Sequence, residues 1–171
     1  MEEAPVLTMT TIRSPLGELR LYAAIDKLAG LYLPGQAAPP GVERHVDVLG
    51  YAAAQLTEYF AGQRHAFDLP LAPRGTGFQA LVWDALTRIP HGETRSYREL
   101  ARSIGRPSAC RAVGAANGRN PISIIVPCHR VVASNGELTG YAGGLAAKRW
   151  LLDHERATVD RPSGVRVAPR R

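Results

Sequence analysis

The chain has 171 residues, 45% of them hydrophobic, which suits one medium domain or two small ones sharing a core and excludes wholesale disorder. No apolar run reaches the roughly 20 residues a membrane helix needs. The start, Met1-Glu2-Glu3, lacks the apolar stretch of a secretory signal, and two cysteines, Cys110 and Cys128, are too few for a disulfide framework or a Cys-rich zinc site. A reducing cytoplasm is therefore the expected compartment. Charge is uneven: residues 1–75 carry 6 Lys/Arg against 8 Asp/Glu, and residues 76–171 carry 15 against 7, nearly all of the cations being Arg. An Arg-rich half is the footprint of a phosphate-binding surface, with nucleic acid as the expected partner, although a merely solvated basic surface has the same composition.

The first third reads as β. Residues 7–13, 19–23 and 28–33 are short apolar or alternating runs separated by Ser14-Pro15-Leu16-Gly17 and Asp26-Lys27, the pattern of an antiparallel meander. Residues 34–41 hold three prolines and form a loop. From Val42 to Ala61 the period becomes helical, with Val46, Leu49, Ala53, Leu56 and Phe60 on one face and Gly62 as the stop. His45 and His65 are isolated and expected at the surface. Residues 68–77 read as a linker, and the charge balance changes sign at the same place. The organisation expected is thus 1–67, a linker at 68–77, 78–156, and a basic disordered tail at 157–171.

The second part is mostly helical. Thr76 is placed to cap a helix whose apolar face is Phe78, Leu81, Val82, Ala85, Leu86 and Ile89, broken by Pro90-His91-Gly92. Ser96-Tyr97-Arg98-Glu99 has the form of a capping box, in which each end satisfies the other's free amide. That helix stops at Gly105, and Ser108 is the expected cap of the next, residues 109–117. Two short helices joined by Gly-Arg-Pro follow the helix-turn-helix plan. The second is thin, being built of Ala and Gly. It suits either tight helix packing or close approach to a nucleic-acid backbone with Arg111 projecting. Ser134-Asn135-Gly136 is a turn signal, residues 141–144 a flexible loop, and residues 145–156 a last helix.

Between these elements lies Ile124-Ile125-Val126-Pro127-Cys128-His129-Arg130-Val131-Val132. One reading is a core strand with a hidden thiol. The other is a nucleophile, because Pro127 removes a ladder donor and a base and a cation sit where a core strand wants neither. A neighbouring imidazole or cation is what lowers a thiol's pKa. In an extended segment Cys128 and His129 point to opposite faces, so contact between them requires a bend or a bridging water.

The motif Pro127-Cys128-His129-Arg130, with Asn120-Pro121 before it and Gly140-Tyr141-Ala142-Gly143-Gly144 after it, resembles the O6-alkylguanine-DNA alkyltransferase family. Ile89-Pro90-x-Gly92-x-Thr94-x-Ser96-Tyr97 and Arg111-Ala112-Val113-Gly114 are similar in the same order, and Ser14-Pro15-Leu16-Gly17 and Gln55-Leu56-x-x-Tyr59-Phe60-x-Gly62 more weakly so. The resemblance implies an α/β fold of the α+β kind. Its N-terminal part would be a small antiparallel sheet plus helix, ribonuclease H-like. Its C-terminal part would be mostly helical and winged-helix-like, with the helix-turn-helix. It further implies direct, single-turnover transfer of an alkyl group from O6-alkylguanine, and O4-alkylthymine, in duplex DNA to Cys128 after base flipping. It assigns His129 as base through water and Glu155 as its partner. Arg111 would fill the vacated stack, and Tyr97, beside Ser96, would turn the phosphate and donate to the leaving guanine. Ala112 and Gly114 would complete the close-approach helix. Asn120 would brace the turn before the Cys, Tyr141 and Ala142 would line the alkyl pocket, and the backbone at Cys128 and Val131 would read the guanine edge. Neither cofactor nor metal is implied. The partner is double-stranded DNA, the state a monomer with cooperative loading open, and Cys110 a small packing residue. Two other classes stay in view: a non-catalytic helix-turn-helix lesion sensor, and a Cys-His hydrolase, for which no Gly-rich nucleophile elbow precedes Cys128.

Overall fold

The computed structural model describes residues 4–163. Three consecutive strands, β1 (Thr8–Ser14), β2 (Gly17–Ala24) and β3 (Lys27–Tyr32), pair antiparallel through two tight turns. Gly17 (φ 100°) and Ile25 (φ 57°) supply the left-handed backbone these turns use, and Ile25, being β-branched, does so against its steric preference. On β2 the inward residues Leu19, Leu21 and Ala23 are wholly buried, as the alternation requires.

Val42 does not open a helix. Val42–Glu43 is a fourth strand, β4, parallel to β1, giving the order β3-β2-β1-β4. The amides of Val42 and Arg44 donate to Leu7 and Met9 carbonyls on the open edge of β1, a long-range pairing that local periodicity does not register. Helix α1 begins later, at Asp47–Phe60, with Asp47 complementing the dipole in its first turn. Its buried stripe is Val48, Leu49, Ala52, Leu56 and Tyr59, so the face is turned slightly from the expected one, and Phe60 is only half-buried.

Residues 68–77 are not a bare connection. Leu28 donates to Pro70 O (2.8 Å) and accepts from Ala72 N (2.8 Å). Further along the same edge Leu31 donates to Pro121 O (2.9 Å) and accepts from Ser123 N (3.3 Å). Both the connecting segment and the stretch leading to Cys128 are thereby strapped onto β3 as single parallel bridges.

The C-terminal half contains α2 (Gly77–Leu86), β5 (Arg95–Ser96), α3 (Tyr97–Ser103), α4 (Cys110–Gly118), β6 (Val131–Val132) and α5 (Leu145–Thr158). Both expected caps at α2 and α3 form as capping boxes, Thr76 with Gln79 and Ser96 with Glu99. Ser108 does not cap α4. The N-cap is Ala109, without a side-chain bond, and Cys110 is exposed in the first turn rather than packed. Leu81 faces solvent, and Ile89 is buried beyond the end of α2. The Trp83 indole donates to Ala116 O (2.9 Å), tying α2 to α4. Helix α5 runs on through Ala157 and Thr158, residues expected in the tail. Residues 164–171 of that tail lie outside the described residues. Among the described residues no helix is long and apolar enough to cross a membrane.

Candidate active site

The apolar run around Cys128 is buried from Ile122 to Val132 but is not a strand. Residues 123–125 turn, Ile124 adopts φ 73°, and Cys128–Arg130 form one turn of 3-10 helix before β6. Such irregular backbone survives burial only if its polar groups find partners. Asn120 supplies them: its Nδ2 donates to Val126 O (2.8 Å) and its Oδ1 accepts from Ile122 N (3.0 Å). Pro127, which has no donor to lose, stands just before the 3-10 turn. β6 then pairs with β5, joining this segment to the cap of α3.

The bend places His129 and Arg130 inward against α5. Glu155, fully buried, accepts at Oε1 from His129 Nε2 (2.6 Å), Arg130 Nη2 (2.9 Å) and Tyr59 Oη (2.8 Å), and at Oε2 from Arg130 Nε (2.8 Å). Arg130 Nη1 donates to Ile89 O (2.6 Å). Burial alone would raise a carboxylate, but His129 and Arg130 outweigh it and hold Glu155 far below the usual range. An ionised Glu155 accepts only, so His129 carries its proton on Nε2, and Nδ1 is left as a lone-pair acceptor. Burial lowers the His129 pKa in spite of Glu155, and the resting imidazole is neutral. Its Nδ1 is buried without a hydrogen-bond partner.

Cys128 is 4% exposed. Burial pushes its thiol up, while Asn120 and the Lys148 charge pull it down. The resting group is a thiol. Lys148 is also wholly buried; its Nζ donates to Thr139 O (2.9 Å) and Gly140 O (3.3 Å), pinning the start of the Tyr141 loop. The Tyr141 hydroxyl is driven up by burial and by Cys128, and it is buried without a partner, as are Ser123 Oγ and Asn117 Oδ1. The Cys128 carbonyl accepts from Val131 N–H within the 3-10 turn and from Asn117 Nδ2 (3.4 Å).

The outer face is of another kind. α4 buries Val113, Ala116 and Asn117 and exposes Arg111, Ala112 and Ala115, a smooth surface with one long cation. A Cβ on Gly114 would meet the Tyr97 ring at 3.8 Å, so Tyr97 lies along the helix. The Tyr97 hydroxyl donates to Thr139 O (3.2 Å). Arg98 and Arg102 on α3, Arg106 in the turn that follows it and Arg119 at the end of α4 are exposed as well. Ala142 is exposed and lines a groove with Asn120, Gly118 and Gln36, at the seam with the N-terminal half.

Comparison with known proteins agrees with this geometry. Residues 77–157 match the DNA-binding domain, and residues 7–73 the ribonuclease-like domain, of 6-O-methylguanine DNA methyltransferase. A methylated-DNA–protein-cysteine methyltransferase of Methanosarcina barkeri is 62% identical over 148 residues, 84% of this chain and 94% of that protein. The chain belongs to the 6-O-methylguanine DNA methyltransferase family. A constitutive Bacillus subtilis enzyme of the same name is 46% identical over 155 residues, 86% of this chain and 94% of that one. The Mycobacterium tuberculosis protein OGT, solved in complex with DNA, superposes with a TM-score of 0.84 at 48% identity, covering 88% of this chain and 94% of that chain.

Within this methyltransferase framework, the structure brings the expected Cys128, His129, Glu155 and Asn120 to one place and lays Tyr97 along α4, which carries Arg111, Ala112 and Gly114, while Ser96 caps α3. Sequence reasoning passed over Arg130 and Lys148 as site residues, and met Tyr59 only within the weaker N-terminal motif, without a role. A signal for Lys148 exists: Lys148, Leu151, Leu152, Glu155 and Thr158 fall on one helical stripe, so two charges share the core face of α5. His65, expected at the surface, is half-buried and stacked on His91 with ring centroids 4.2 Å apart, its Nε2 donating to Thr158 O (2.9 Å).

Proposed function

We propose that this chain repairs alkylated DNA by moving the alkyl group from O6 of guanine, and O4 of thymine, onto Cys128, once per molecule. The observation that carries the reading is the buried thiol beside an imidazole locked by Glu155, with its second nitrogen left as an acceptor. The Cys128 thiol passes its proton through a bridging water to His129 Nδ1, and Glu155 steadies the imidazolium that forms. The thiolate attacks the alkyl carbon. The carbon–O6 bond breaks with its electron pair going to the base, which takes up a proton and leaves as guanine. A thioether has no ready leaving path, so the molecule is spent.

The lesion sits inside a duplex and is reached by flipping. The small face of α4 admits the backbone closely, Arg111 fills the vacated stack, and Tyr97 turns the phosphate and donates to the departing base. Tyr141 and Ala142 bound the alkyl pocket, and the backbone around Cys128 and Val131 reads the guanine edge. We place the protein in the cytoplasm, acting as a monomer.

Duplex DNA carrying O6-[methyl-³H]guanine tests this. Label is expected on the peptide containing Cys128, in a burst of at most one equivalent, and absent with Cys128→Ala. Lesion binding without an adduct would make the protein a sensor. Continued turnover on an ester would make it a hydrolase.

A further inference from the structure

The Glu155 carboxylate is fixed twice over. Arg130 holds both oxygens, Nε on Oε2 at 2.8 Å and Nη2 on Oε1 at 2.9 Å, a two-point contact that sets the carboxylate plane. Tyr59 adds a third donor to Oε1 at 2.8 Å, although orientation is already settled. It comes from α1, in the other half of the chain. Its ring is fully buried and enclosed by Phe60 (5.3 Å between centroids), Phe67 (5.5 Å), His91 (6.0 Å) and His154 (5.2 Å). The Tyr59 carbonyl accepts from His154 Nε2 (2.7 Å). Enclosed in this way, the phenol presents its hydrogen to Oε1, the same oxygen that receives His129.

We propose that Tyr59 is a positioning residue for the transfer reaction. By donating to the carboxylate oxygen that His129 also uses, it draws charge away from that oxygen. His129 thereby stays a neutral proton acceptor to lower pH than Glu155 and Arg130 alone would permit. The N-terminal half is then part of the chemical relay. The inference rests on the relay described under Proposed function.

Other titratable groups face this cluster from every side. Arg130 comes from the 3-10 turn, His65 follows α1, His91 follows α2, His154 lies on α5, and Tyr141 precedes α5. Lys148 acts on His129 from α5. Burial holds His91 down to about 4, so it contributes no charge near neutrality. The phenol itself is raised well above its ordinary range by burial and by Glu155, and remains a donor at working pH.

The test is Tyr59→Phe in the full chain, read in two ways. The first is the titration of the His129 imidazole by NMR, assigned by difference from His129→Gln. The second is the single-turnover transfer rate against pH. Loss of the donor is expected to move the His129 midpoint upward by about one pH unit, the scale of one hydrogen bond to a charged group. The acid limb of the rate profile is expected to move with it. 3-Fluorotyrosine at position 59 keeps the ring and strengthens the donor, and is expected to move both downward. If Tyr59→Phe does not fold, the fluorotyrosine arm decides alone. An unmoved His129 midpoint, whether the rate is unchanged or falls equally at all pH, overturns the proposal and leaves Tyr59 a packing residue. Failure of the unsubstituted protein to alkylate Cys128 would instead overturn the relay, because the His129 titration does not depend on transfer.

Discussion

Asn120 shows how a single side chain makes a buried loop possible. Its amide satisfies Ile122 N, which the irregular segment would otherwise bury unpaired, and gives Val126 O a second donor beside Cys128 N. Asn120→Ala strands the Ile122 amide, at a cost of about 1–3 kcal/mol for the desolvated group, and takes from Val126 O one of its two donors. The expectation is an unfolding free energy lowered by that amount and a slower transfer to Cys128, because the same amide also draws the thiol pKa down. Chemical denaturation and single-turnover kinetics on one preparation check both. At this scale the sequence was partly legible. Cys128 and His129 announced themselves because a base and a cation interrupt an apolar run. Pro127 hinted at irregular backbone, yet the full departure from a strand, with Ile124 left-handed, depends on Asn120 and on the edge of β3. Glu155 came only with the family resemblance, since one Glu on a polar-looking helix resembles any solvated residue. The role of Tyr59 stayed hidden because its partner is far along the chain, Tyr59 meeting Glu155 across the two halves, and that of Lys148 because its partners are backbone carbonyls of a loop with no periodicity.

Among the elements, α4 carries the clearest division of labour. Its inner side is anchored by Val113, Ala116 and the Trp83 indole, and its outer side is small apart from Arg111. Arg111→Ala removes an exposed side chain and leaves the packed face intact, so stability is expected to change by no more than about 0.5 kcal/mol. Transfer from a duplex lesion is expected to fall far more than transfer from a free O6-alkylguanine base, which needs no flipping. Equal losses on the two substrates would remove Arg111 from that role. The capping boxes of α2 and α3 were readable because Thr-x-x-Gln and Ser-x-x-Glu are local hydrogen-bond patterns. The start of α4 was not, because Ala109 offers no side chain to read. β4 escaped for the reason that hides most edge strands: its warrant is the unpaired edge of β1, not its own two residues.

For the molecule as a whole, the buried titratable groups set a direction for acid stability. His91 is held down to about 4 and His129 is also lowered, while their unfolded values lie near 6.5. Between about pH 6.5 and 4 the unfolded chain therefore binds more protons than the folded one, and stability falls as pH falls. Glu155, lowered from 4.5, adds stability that is present above 4.5 and is lost below it. Urea midpoints measured from pH 8 to pH 4 are expected to decline first gently and then steeply. His91→Gln is expected to flatten the upper part of that decline. A midpoint independent of pH from 7 to 5 would contradict this account. The uneven charge along the sequence foreshadowed an Arg-rich C-terminal half, in which Arg98, Arg102, Arg106, Arg111 and Arg119 are exposed on or next to α3 and α4. It could not foreshadow that both the connecting segment and the Cys128 loop are strapped to β3.

Those two bridges also fix an order of assembly. β3 is complete in the first fifth of the chain, and it waits with an open edge for residue 71 and then for residue 122. Contacts so distant in sequence close late, after the local hairpins and capped helices have formed. The loop that shelters the nucleophile is thus among the last parts to settle. During synthesis, or after partial unfolding, the chain passes through forms in which Cys128 is an ordinary exposed thiol without its base. Completion of the sheet edge is the event that turns it into a guarded one.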